Sequence, residues 1–254
     1  KSDLTPRWRK PIGTGYSSPT VAKGKVLLMD FDEANQNESV KCFDAKTGDS
    51  LWSHTYHSEY RISYTAGPRA AVTIVGDRAC CLGAMGRLHC LNVHDGAVMW
   101  EKDLDGIYQV SADRRMPIWG ITSSPIAVGE NLIIQLGAKE AAVVALNQTT
   151  GDEVWRSLTD RGQYSSPVLV KQNGADVLIC WTGDGVAGLN PKTGTPYWQH
   201  PFKPTRMPIG VATPVVHGNK IFLTSFYDGA MMLEMSETSM DVKQLWHLIG
   251  PNER

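Results

Sequence analysis

A chain of 254 residues with a formal net charge of −1 and 20% charged residues has neither a basic face for a phosphate backbone nor an acidic tail, which excludes nucleic acid as an expected partner. No apolar run approaches the roughly 20 residues of a membrane helix, and residues 1–10 lack the apolar core of a secretion signal. Five cysteines form an odd set without CxxC zinc spacing, whereas 24 Gly, 14 Pro and 8 Trp without sustained helical periodicity predict many short strands joined by tight turns.

In chain order, Trp8 comes first, resembling the end of a block whose beginning is absent. Pro19 then opens a unit with two apolar runs divided by Lys23-Gly24, a third run at 40–43, and the block Asp44-Ala-Lys-Thr-Gly-Asp-Ser-Leu-Trp52. The next unit opens at Pro68, turns at Gly76-Asp77, runs through 88–91 and closes with a block from Asn92 to Trp100. Residues 105–119 are an insertion that reads as a loop, either functional or a tolerated surface excursion. Pro125, Gly129-Glu130, a run at 143–146 and a block from Asn147 to Trp155 follow. Pro167, Asn173-Gly174, 186–189 and the block from Asn190 to Trp198 make the fourth unit. The fifth has Pro214, Gly218-Asn219 and 231–233, but its block from Glu234 to Trp246 is four residues longer and carries Met240-Asp241 in place of Thr-Gly.

Tryptophan spacings of 44, 48, 55, 43 and 48 and proline spacings of 49, 57, 42 and 47 stretch in the same unit. Gly48, Gly96, Gly151 and Gly194 hold one place in the block, where a hairpin needs a positive φ. Each unit therefore reads as four antiparallel strands, and the chain as an all-β propeller with blades at about 14–56, 60–104, 117–158, 161–202 and 207–250. Trp8, Trp52, Trp100, Trp155, Trp198 and Trp246 fall on outermost strands and are expected to dock neighbouring sheets. Trp8 then marks an orphan outer strand, so the five full blades are expected to belong to a seven- or eight-bladed ring. A solenoid, the rival architecture, has parallel strands and no need of a glycine hairpin in every unit.

The block Asp-Ala-x-Thr-Gly-x-x-x-Trp, with Pro-x-Val opening a unit and Leu-x-Cys/Ala-Leu-Asp/Asn before the turn, resembles the quinoprotein-type repeat along essentially the whole chain. Proteins with this repeat include pyrroloquinoline-quinone (PQQ) dehydrogenases and BamB-like lipoproteins of outer-membrane assembly. The stretches 59–64, 83–86 and 225–229 look closest to bacterial PQQ-like repeat proteins of unassigned role. The resemblance implies a periplasmic or otherwise extracytoplasmic location. It also implies one of two functions. The first is a non-catalytic scaffold, without cofactor, for a protein or small-molecule ligand. The alternative is a PQQ- and calcium-dependent oxidoreductase of alcohols or sugars, or part of one.

PQQ dehydrogenases similar to this repeat bridge an adjacent cysteine pair over the cofactor, and Cys80-Cys81 is such a pair, although Leu82-Gly-Ala-Met follows where Asn-Arg-Gly is expected. Read from the residues alone, Cys80 and Cys81 are strand neighbours facing opposite sides. Cys42 and Cys90 share the position of Ala145 and Gly188, and Cys180 reads as a strand residue. Asp30, Asp32, Glu33, Asn35, Asn37 and Glu38 could gather oxygens around calcium but read better as a solvated loop. The histidines show no metal spacing, no Gly-x-Ser-x-Gly elbow is present, and no catalytic or metal residue is assigned.

Propellers bind at the channel mouth, formed here by the loops 13–18, 60–67, 114–124, 162–166 and 206–213 that precede each opening proline. The candidate binding residues are Tyr16, Ser18, Arg61, Tyr64, Arg69, Arg115, Trp119, Ser124, Tyr164 and Arg206. Their guanidinium forks, aromatic faces and hydroxyls suit carboxylate, sugar or peptide groups.

Overall fold

Apolar runs separated by glycine turns fold back on themselves, and each unit of the repeat becomes one antiparallel sheet. The computed structural model describes residues 5–249. The chain divides into two compact units, one built from residues up to Asp103 together with Ile118–Gly120, the other from Leu104–Pro117 and from Ile121 onward.

The first unit holds two four-stranded sheets in sequential order. One comprises β1 (Thr20–Ala22), β2 (Lys25–Asp32), β3 (Asn37–Asp44) and β4 (Ser50–His57), the other β5 (Thr73–Val75), β6 (Arg78–Leu82), β7 (Arg87–Asn92) and β8 (Val98–Asp103). After the short helix α1 (Leu104–Tyr108), the second unit holds three more. These are β9 (Ile126–Val128), β10 (Asn131–Ala138), β11 (Ala141–Asn147) and β12 (Glu153–Ser157); β13 (Val168–Gln172), β14 (Ala175–Trp181), β15 (Gly185–Leu189) and β16 (Pro196–Pro201); and β17 (Val215–His217), β18 (Lys220–Ser225), β19 (Gly229–Met235) and β20 (Val242–Leu248). Five such sheets are the blades of a β-propeller.

The inner pair of strands in a blade is covered on both faces and is nearly continuously apolar, as in β10 and β11. The outermost strand alternates, as in β4, with one face turned to solvent. A register shift follows the residue opposite each blade's tryptophan, at Cys42, Cys90, Ala145, Gly188 and Met232. Four of these five residues are small, and at Gly188 a Cβ would stand 2.3 Å from the Trp198 ring.

The block glycines do more than turn the chain. Gly48, Gly96 and Gly194 have φ of 77°, 76° and 72°. A Cβ on them would stand 2.6 Å from Trp8, 2.6 Å from Trp52 and 2.5 Å from Trp155. Each of those indoles donates Nε1–H to a carbonyl in the same turn: Trp8 to Ala45 at 3.2 Å, Trp52 to Val93 at 3.1 Å and Trp155 to Pro191 at 3.2 Å. Glycine there serves both the backbone angle and the close approach of the ring.

Trp198 departs from this pattern, because the turn of the longer fifth block lacks the glycine. Its Nε1 donates instead to Gln172 Oε1 at 3.0 Å. Trp246 lies on β20 with Phe222 at 6.2 Å between centroids, and Trp100 stands opposite Cys90 on β8.

Two expectations are corrected, and one open alternative is narrowed. The segment around Trp8 is not a strand: among the described residues before Thr20 only Thr14 forms a ladder bridge, to Phe31. A strand exists only with a hydrogen-bonded partner, and Trp8 is held by its ring, beside Phe43 and Gly48, and by its Nε1 bond to Ala45. The acidic stretch is not all solvated loop. Asp30 is a buried residue of β2 that accepts from Gly13 N at 2.5 Å and pairs with Lys41, and Glu38 is wholly buried in β3. The insertion is not a plain excursion either, since α1 buries Leu104 and Tyr108, and Tyr108 donates to Glu153 at 2.6 Å.

Candidate binding surface

Strands alternate in direction, so the loop entering a blade and the hairpin between its second and third strands lie at the same end of the sheet. That end of each sheet carries the candidate residues.

In the first unit, the loop 60–67 is anchored by Tyr60, which stacks on Phe31 at 4.6 Å and donates to Glu38 Oε1 at 2.7 Å. Glu38 also accepts from Tyr56 at 2.5 Å and from Ala84 N at 3.0 Å. Burial pushes this carboxyl above its ordinary range, and the three donors oppose the shift. Anchored at Tyr60, the loop presents Arg61 to solvent and Tyr64 at 83% exposure with φ +66°. A non-glycine residue at that angle is held there at some conformational cost. Tyr64 meets Trp119 edge-on at 6.0 Å.

Beside them Arg69 lies over the exposed Tyr16 ring, 4.9 Å from its centroid. Its guanidinium is oriented by the carbonyls of Gly67 at 3.0 Å and Thr65 at 3.2 Å. Tyr16 N donates to Pro68 O at 2.8 Å, so the backbone fixes both halves of the pair. Ser18 is exposed.

In the second unit, Arg206 lies 5.3 Å from the Tyr227 centroid, and Tyr227 packs edge-on to Phe226 at 4.9 Å. Phe226 is 77% exposed. Asp228, buried, holds this corner by accepting from Thr205 N and Oγ1 at 2.7 and 2.8 Å and from Ser225 Oγ at 3.0 Å. Phe226 and Tyr227 were missing from the sequence-based set. Two aromatics in a hairpin tip, where turn chemistry favours glycine or asparagine, were the available signal.

The other candidates are placed differently. Arg115 is committed to backbone, donating to Gly137 O and Thr159 O, both at 2.7 Å. Tyr164 is buried, and Ser124 N donates its hydrogen bond to Ser166 Oγ at 2.9 Å. These three brace loops.

The adjacent cysteines do not form the bridge that the quinoprotein resemblance implies. Cys80 and Cys81 are free and take successive positions on β6, opposite Cys90 and His89, so their side chains leave opposite faces. Among the described residues, no three or more His, Cys, Asp and Glu side chains are grouped to hold one metal ion. No helix among them is long and apolar enough to cross a membrane.

Comparison with known proteins agrees with the repeat. The outer membrane protein assembly factor BamB of Burkholderia pseudomallei (strain K96243) is 28% identical over 205 residues, covering 78% of this chain and 46% of that protein. The crystal structure of BamB from Moraxella catarrhalis superposes with a TM-score of 0.60 at 17% identity, covering 93% of this chain and 63% of that one. The quinohemoprotein alcohol dehydrogenase of Comamonas testosteroni also gives 0.60, at 13% identity, over 92% of this chain and 43% of that one. At these identities the solved structures share the fold, and the chain spans about half the length of its curated relative. The family described as outer membrane protein assembly factor BamB matches residues 36–251, and the chain belongs to that PQQ-like repeat family.

Proposed function

We propose that this chain is a non-catalytic, extracytoplasmic scaffold that holds a protein partner at the loop-bearing ends of its sheets. The supporting observation is the pairing of exposed aromatic rings with oriented guanidinium groups, Tyr16 with Arg69 in one unit and Tyr227 with Arg206 in the other. Rings and guanidinium forks of this kind bind the carboxylates, carbonyls and apolar side chains of an extended protein segment. Buried Glu38 and Asp228 hold the flanking loops, which lowers the ordering cost of binding. The matched relatives are named as outer membrane protein assembly factors, which supports a protein partner and a periplasmic setting.

Pull-down from a cell envelope extract with the wild-type chain and with an Arg69→Ala/Arg206→Ala variant tests this. Partners lost from the variant support it, and an unchanged set of partners removes it.

The quinoprotein reading rests on the fold shared with an alcohol dehydrogenase. Incubation with PQQ and calcium followed by gel filtration separates the two: quinone absorbance retained on the protein would overturn the scaffold reading.

A further inference from the structure

The quinoprotein resemblance drew attention to Cys80 with Cys81, but the sheet gives Cys80 a different neighbour. Cys80 on β6 and Cys90 on β7 are direct partners in the antiparallel ladder, so both thiols leave the same face. Cys81 is opposite His89 and joins the apolar cluster of Leu27, Val40 and Leu91 on the other face. The remaining cysteines have no cysteine across the ladder: Cys42 faces Leu27 and Trp52, and Cys180 faces Ala187.

Cys80 and Cys90 carry no disulfide and are both wholly buried. Their thiols share a hydrogen bond, which raises Cys80 above its ordinary pKa and lowers Cys90 below it. The positive charge of Arg78 favours the thiolate of each. Directly opposed strand residues hold their Cβ atoms about 4.5–5.5 Å apart, and a disulfide takes about 3.5–4.5 Å, so closing the bond needs a movement of roughly 1 Å.

We propose that Cys80 and Cys90 are a thiol–disulfide pair that closes a cross-strand bridge between β6 and β7. The oxidant is an exchangeable disulfide, RSSR, of the class carried by oxidised glutathione or a thiol oxidoreductase. The Cys90 thiolate attacks one sulfur of RSSR, forming a Cys90–S–S–R mixed disulfide and expelling RS⁻. The Cys80 thiolate then attacks the Cys90 sulfur, expelling the second RS⁻ and leaving the Cys80–Cys90 bond. The two protons released by the cysteines end on two RSH, and the two electrons lost by the pair reduce RSSR. Because both sulfurs are buried, exchange proceeds while the β6–β7 hairpin is open, during folding or in mild denaturant. The pairing follows from strand register and is independent of the scaffold reading.

The test uses the full chain, equilibrated with oxidised or reduced glutathione in sub-denaturing urea, then alkylated under denaturing conditions and weighed. The expected result is five alkylated thiols after reduction and three after oxidation. Trypsin cleavage after Arg78 and Arg87 puts Cys80 and Cys81 in one peptide and Cys90 in the next, so the bridge joins those two peptides. Cys81→Ala must keep the link, and Cys80→Ala and Cys90→Ala must each abolish it. Five thiols remaining after oxidation, or a link that survives Cys80→Ala, overturns the proposal.

Discussion

Gln172 accepts the indole hydrogen of Trp198 at 3.0 Å and donates its own amide to the carbonyls of Asp241 at 2.8 Å, Ser239 at 3.1 Å and Ser236 at 3.3 Å. One buried side chain thus replaces the glycine turn missing from the last block, linking the fourth blade's tryptophan to the irregular turn of the fifth. Gln172→Ala leaves a buried indole N–H and several carbonyls without this partner, and is expected to cost about 2–3 kcal/mol. Urea denaturation checks this, and a loss below about 0.5 kcal/mol would place it among ordinary surface changes.

Gly194 and Gly174 separate backbone strain from ring contact. Their φ values are 72° and 77°, but a Cβ at Gly194 meets the Trp155 ring whereas one at Gly174 meets nothing within 4 Å. Gly174→Ala is expected to lose only the left-handed cost, about 1–2 kcal/mol, and Gly194→Ala about 1–3 kcal/mol more through crowding. Thermal and denaturant unfolding of the two variants gives the comparison, and equal losses would contradict ring docking on the turn.

His89 makes stability depend on acid. Burial, with His54 and Arg87 nearby, lowers its pKa from 6.5 to about 4. A depressed folded pKa means that the unfolded chain binds more protons between those values. The contribution of His89 is therefore complete above pH 6.5 and is lost as pH falls toward 4, by an amount on the order of 2–3 kcal/mol. His54, lowered chiefly by burial, acts in the same direction. Unfolding free energy measured from pH 7 to pH 4 is expected to fall less steeply in His89→Gln than in the wild type, and parallel curves would refute the assignment.

Glu38 acts with the opposite sign. Its folded pKa is raised above 4.5 by burial, so its contribution is greatest below that value and is lost as pH rises through the folded pKa. Glu38→Gln removes this titration, and the wild-type-minus-variant difference in unfolding free energy is expected to decline with rising pH above 4.5. An increase would mean that the hydrogen bonds from Tyr56, Tyr60 and Ala84 outweigh desolvation.

The blades were legible because proline, turn glycine and tryptophan recur at positions that local physics makes obligatory. Gly48, Gly96 and Gly194 could be recognised as turn residues and the tryptophans as docking residues, but not which indole lies against which glycine, since each ring comes from the tryptophan one block earlier in the chain. A carboxylate in an acidic run looks solvated until Lys41 and Tyr56 arrive from neighbouring strands and Tyr60 from the following loop, which is why the sequence does not show Asp30 and Glu38 as buried. Arg115 looked available for a ligand for the same reason: its acceptors, Gly137 and Thr159, are 22 and 44 residues away. Phe226 and Tyr227 lie in a hairpin, not in a loop before an opening proline, although hairpins at the same end of each sheet are equally placed.

The scaffold claim is tested most directly by site-specific photocrosslinking in the cell envelope, with the photoreactive residue placed at Tyr64 or Phe226 and, for comparison, at Leu51 or Val154 on the solvent faces of outer strands. The expected result is a discrete protein adduct from Tyr64 and Phe226 that disappears when Arg69 and Arg206 are changed to alanine. Adducts from Leu51 and Val154 alone, or adducts indifferent to both arginines, would contradict it.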